Sequence, residues 1–174
     1  MFLKSRWVFF AVLICSLSTL ATAAREEKAP RDVAYRLISL IKAGKFDRAA
    51  RLFHYPPDES LAERQVDQGD VARHMQELAV ALGPLESVRA AERVRPTFTL
   101  SIAGGDVPYW KRRGRIQVIS FVFDAVWHNE GDTQLTVFVL RNDVRWEIRA
   151  LQIGVPTTRP GAKDFILSLA AKLR

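Results

Sequence analysis

The chain has one cysteine, three histidines and two methionines in 174 residues. The single cysteine, Cys15, lies inside an N-terminal apolar run, so an intramolecular disulfide framework is excluded. If that run is removed, thiol catalysis and cysteine metal sites go with it. His54, His74 and His128 are scattered, with no partner at i+3 or i+4, and do not form a metal-ligand pattern. Ala103-Gly104-Gly105-Asp106 reads as a hairpin turn rather than a phosphate-cradling loop. No Gly-x-Ser-x-Gly element exists to expose a nucleophilic serine. Internal repeats and low-complexity segments are also missing. The reading therefore assigns no metal and no cofactor.

What is present begins with a leader. Lys4 and Arg6 give a basic start, residues 7–20 (WVFFAVLICSLSTL) are continuously apolar, and Ala21-Thr22-Ala23 fits a small-x-small cleavage site. Residues 1–23 are read as an export signal, against a retained membrane anchor, which would not need that cleavage signature. A lipid attachment at Cys15 is disfavoured by bulky Ile14 before it. The expected location is periplasmic or secreted. Residues 24–174 then form one domain, with 24–31 a charged leader expected to be mobile. The formal net charge is +7, and two of the positive charges sit in the signal. A basic exported chain fits an envelope rich in anionic lipid and polysaccharide, and export argues against nucleic acid as partner.

The spacing of Val33, Leu37, Ile38 and Ile41 predicts a helix from Asp32, stopped at Gly44. A second short helix is expected from Asp47, ended by Tyr55-Pro56-Pro57. Residues 56–65 read as a polar link. Val71, Met75, Leu78 and Leu82 then predict a third helix from Asp67 or Asp70 to Gly83-Pro84. Residues 85–94 are a weak strand and 97–103 (TFTLSIA) a clear one. Gly104 to Asp106 is read as a turn before a return strand starting at 107–110. After a proline-bearing break at 156–161, Phe165, Ile166, Leu169 and Leu173 predict a final helix over 162–172.

Beyond the leader, the densest apolar stretch is 115–155, three strands joined by Asn129-Glu130-Gly131-Asp132 and by Asn142-Asp143. In the first strand Ile119, Phe121, Phe123, Ala125 and Trp127 share one face. Val118, Ser120, Val122, Asp124, Val126 and His128 share the other. Leu135, Val137 and Val139 alternate with Thr136, Phe138 and Leu140 in the next. A sheet apolar on both sides needs cover on both. The N-terminal helices can supply one cover. The final helix folding back, or a homodimer contact, would supply the other.

The fold class is α+β: N-terminal helices packed on a curved antiparallel sheet ending in a three-strand meander, plus a C-terminal helix. The opening hairpin AYRLISLIKAGKFDRAARLF, the helix ELAVALGPL and the closing run FVFDAVWHNEGDTQLTVFVLRNDVRWEIRAL resemble the nuclear transport factor 2-like superfamily. The resemblance covers most of residues 32–155. It implies a cone whose bent sheet wraps the first helix around an apolar pocket. It also implies membership of a group that includes isomerases, dehydratases, ligand-binding modules and inert scaffolds. Function does not follow from that fold, and the final helix is not part of the pattern.

Asp124 is the polar residue of most interest, a carboxylate between Val122 and Val126 with His128 further along the face. Desolvation there would suit a general base, with His128 or Tyr109 as acid or orienting group. The competing reading pairs Asp124 with an arginine such as Arg141 or Arg149. A carboxylate pointing into the cone with no arginine within pairing distance would favour catalysis, and an outward one would remove most of the support for it. Tyr109, Trp110, Phe121, Phe123, Trp127 and Trp146 are the candidate ligand-binding residues, with core packing the competing explanation. Lys111, Arg112, Arg113 and Arg115 offer contact with an anionic surface, or simply blunt an exposed edge. The function expected is an exported, non-enzymatic module binding a small apolar ligand or an envelope protein. The alternative is an isomerase- or dehydratase-type enzyme.

Overall fold

The computed structural model describes residues 29–56, 58–103, 117–141 and 145–173. The expected export signal, Tyr109, Trp110, the 111–115 basic run, the 107–110 return strand and the Asn142-Asp143 turn lie outside these residues.

Three helices come first. Helix α1 spans 29–42 and buries Ala34, Leu37, Ile38 and Ile41. It begins before Asp32, three residues earlier than the apolar spacing predicts. Gly44, at φ +65°, takes the left-handed conformation that ends it. Helix α2, Phe46–Ala50, follows at once. Helix α3, Leu61–Leu82, is longer than its apolar stripe suggests. Its start is fixed by a capping box: the Ser60 hydroxyl accepts from the Glu63 amide, and the Glu63 carboxylate accepts from the Ser60 amide. The second half of the segment read as a polar link, residues 61–65, is therefore the start of α3.

Among the described residues five strands follow: β1 Leu85–Ala90, β2 Thr97–Ala103, β3 Gln117–Trp127, β4 Gly131–Arg141 and β5 Trp146–Pro156. Helix α4, Ala162–Lys172, closes the fold with the bounds its stripe predicts. The sheet is antiparallel in the order β1-β3-β4-β5-β2. Strands β3, β4 and β5 are the meander, and Gly131 (φ +65°) turns the chain from β3 into β4. A bulge between Phe138 and Val139 shifts the β4–β5 register. Strands β1 and β2, neighbours in sequence, occupy opposite edges, β1 on β3 and β2 on β5.

One face of the sheet carries Phe123, Ala125, Trp127, Leu135, Val137, Val139, Ile148, Leu151 and Ile153, all buried in one core with the inner sides of α1 to α3. The Tyr35 ring of α1 meets Phe123 edge-on, centroids 5.2 Å apart. Helix α4 lands on this same face, where Ile166 and Ala162 pack with Val155 and Leu100. It thus packs on the protein's own sheet, beside the other helices and not over the second face.

The second face is crossed instead by a strap, residues 91–96, that carries the chain from the β1 edge to the β2 edge. The Arg95 amide donates to the Gln134 side-chain carbonyl, and the Gln134 amide group donates to the Arg93 carbonyl. Where the strap joins β2, Thr97 lies against Gly154, and a Cβ on Gly154 would sit 2.6 Å from Thr97 Oγ1. Glycine there is what lets the strap settle onto the sheet. Elsewhere this face is less covered, with Val118 42% exposed and Val122, Val126, Thr136 and Phe138 half-buried.

Candidate functional site

Between β1 and the strap, the second face holds a groove of about 330 Å³, lined by Ser87, Val88, Arg89, Arg95, Asp124, Val126 and Asp132. Strand register places these groups. Ser87 lies opposite Val126, and Val126 opposite Asp132, which forms one row across three strands. Arg89 lies opposite Asp124, and Asp124 opposite Gln134, which forms the next. Rows of same-face residues are about 7 Å apart and strands about 4.8 Å apart, so the groove floor is a small grid.

Asp124 is the most engaged group on it. Its Oδ1 accepts from Arg95 Nη2 at 2.9 Å and from Gln134 Nε2 at 3.0 Å. Its Oδ2 lies 3.7 Å from Arg89 Nε. Arg95 also reaches the Thr133 carbonyl, at 3.4 Å. With two arginines within pairing distance, the condition that would favour the general-base reading of Asp124 is not met. A carboxylate engaged by a guanidinium and an amide has few lone pairs left for a substrate proton. The arginines are Arg95 and Arg89, not Arg141 or Arg149.

His128 does not join Asp124. Its Nδ1 lies 2.7 Å from Glu86 Oε1 at the exposed end of β3. The aromatic candidates among the described residues, Phe121, Phe123, Trp127 and Trp146, sit on the opposite face. Phe123 and Trp127 are each 1% exposed, with the Trp127 indole donating to Thr133 Oγ1 at 3.0 Å. Phe121 and Trp146 pack partly buried against that core, and Arg141 stacks over the Trp146 ring. Their places are those of packing residues under the helices.

A buried polar cluster lies at the other end of the sheet. His54 Nδ1 is 2.6 Å from Glu147 Oε2, and Arg145 Nε donates to Glu147 Oε1 at 2.7 Å. Burial raises the Glu147 carboxyl, but the hydrogen bonds and charges of His54 and Arg145 outweigh it and leave the group below its usual range. The cluster sits beside a short parallel pairing in which the His54 amide donates to the Ile148 carbonyl and the Ile148 amide to the Leu52 carbonyl. It therefore clamps the end of the helical hairpin to β5. Sequence offered no signal for it, since His54 and Glu147 lie 93 residues apart. Near the start of α3, burial raises Glu59, and its hydrogen bond with Asp67 and the Asp67 charge act in the same direction against Arg64.

Among the described residues no group of three or more histidine, cysteine, aspartate or glutamate side chains is placed to hold a metal ion, and no helix is long and apolar enough to cross a membrane. Compared with known proteins, the chain matches no family model, no curated protein and no solved structure.

Proposed function

We propose that this chain is an exported, non-enzymatic module of the envelope that binds a small ligand in the groove between β1 and the strap. The observation that carries the reading is the Arg95–Asp124–Gln134 network. It spends the one candidate catalytic carboxylate on holding the strap, and so leaves beside it a fixed concave wall. An isomerase or dehydratase would need that carboxylate free to accept a proton from carbon. Export rests on the N-terminal run and its cleavage signature, and kinship with the nuclear transport factor 2-like superfamily rests on the sequence pattern.

The test is a small-molecule mixture screen on residues 24–174, read by backbone amide NMR. Shifts concentrated at Ser87, Arg89, Arg95, Val126 and Asp132 are expected. Shifts confined to other surfaces, or none from any mixture, would overturn the reading. A companion test of export is the intact mass of the protein from the envelope fraction, expected to start at Ala24.

A further inference from the structure

The charges around the groove are not mixed at random. In the row Ser87–Val126–Asp132 there is a hydroxyl, an apolar floor and a carboxylate, with no cation among them. Asp132 is exposed, and its carboxylate makes no ion pair among the described residues. In the neighbouring row and above it stand both guanidiniums of the groove. Arg95 is committed to Asp124 at 2.9 Å, whereas Arg89 is 78% exposed and touches that carboxylate only at 3.7 Å. Asp124 already has Arg95 and Gln134, so it does not need Arg89 to stay satisfied.

One end of the groove therefore has a carboxylate without an ion-pair partner among the described residues, and the other a guanidinium with a weak one. The floor between them is the Val126 side chain. By strand spacing, the Cα atoms of Asp132 and Arg89 are about 12 Å apart, two strands across and one row along. Both residues line the groove. A monoanion would satisfy Arg89 and repel Asp132, and a monocation would do the reverse. A molecule that carries both charges on an aliphatic body satisfies both ends and covers Val126.

We infer that the groove recognises a small dipolar solute, an ammonium and a carboxylate separated by a short aliphatic chain, with Asp132 taking the ammonium and Arg89 the carboxylate. This rests on the binding reading above and adds the class of ligand to it.

The probes are 6-aminohexanoate, hexylamine and hexanoate, titrated at low salt against residues 24–174 while the amides of Arg89, Val126 and Asp132 are followed by NMR. The dipolar compound is expected to bind at least about tenfold more tightly than either singly charged one, the size of one charge-assisted hydrogen bond. Asp132→Asn should bring 6-aminohexanoate down to the affinity of hexanoate, and Arg89→Gln to that of hexylamine. Both side chains are exposed, and an unchanged thermal midpoint in each variant separates loss of binding from loss of fold. Equal binding of all three probes, or a preference for a singly charged one, would overturn the dipolar assignment while leaving a binding groove. No perturbation by these probes or by the mixture screen would overturn the binding reading itself.

Discussion

The two faces of the sheet are built from the same strands and nearly the same residue types, yet they are held by different forces. On the helix-covered face, Phe123, Trp127, Leu135, Val137 and Ile153 are almost fully buried, and exclusion of apolar area from water dominates. On the strapped face, the strap is tied down by hydrogen bonds that link Gln134 and Asp124 to backbone and guanidinium groups. A core tolerates many apolar arrangements of the right volume, whereas a polar tie specifies which segment lies where. The first face therefore accounts for most of the stability, and the second for the path of the chain and the shape of the groove.

That division can be broken most directly at Trp127. Replacement by alanine should cost about 3–5 kcal/mol, as for large aromatic truncations in cores, and Trp146→Ala distinctly less because that ring is only partly buried. Denaturant midpoints in the reverse order would mean the core has been placed under the wrong strand end.

Next in size is the Glu147 clamp. Glu147→Gln should cost about 1.5–3 kcal/mol at neutral pH, the range for hydrogen bonds to a charged group. The folded protein holds this carboxyl below its ordinary value of 4.5, so its contribution is present above that pH and is lost as pH falls through the lower, folded value. The gap between the variant and the parent should close in acid. A gap of the same size at pH 7 and pH 3 would show that packing, not charge, is responsible.

Gly154→Ala tests the strap from below. Its added methyl meets Thr97 well inside van der Waals contact, which should cost about 1–3 kcal/mol. Faster hydrogen exchange at the Arg95 amide should accompany it. Loss of stability without that local change would place the strain elsewhere. The smallest effect is expected from Asp124→Asn, about 1 kcal/mol or less, because the carboxylate is partly open to solvent. The same variant should leave the core untouched, and an effect as large as that of Trp127→Ala would erase the contrast between the faces.

Much of this arrangement was legible in the sequence, and the part that was not has a physical reason. Helical stripes and strand alternation are local, and they located α1, α4, β2 and the meander closely. The start of α3 was also legible in principle, since Ser60-x-x-Glu63 is a capping box, but the apolar stripe that begins at Val71 drew the boundary too late. Edge placement of β1 and β2 is not a local property, because the residues of a strand do not name its neighbour. The same holds for the partners of Asp124 and Glu147. Arg95 is 29 residues from Asp124, and His54 is 93 from Glu147. Arg141 and Arg149 looked equally suitable for Asp124 until the strap was in place.

The strap has one more consequence, and it is a matter of length. From Ala90 to Thr97 the chain takes seven Cα steps, which reach about 23–25 Å when fully drawn out. Four strand spacings separate the two edges it joins, about 19 Å in a flat sheet. The strap also has to run back along the strands, from the row of Phe123 to the row of Pro156. Very little slack remains. In mechanical terms the sheet is a bow and residues 91–96 its string: the edges can draw together, but they cannot spread far without pulling Arg95 and Gln134 apart.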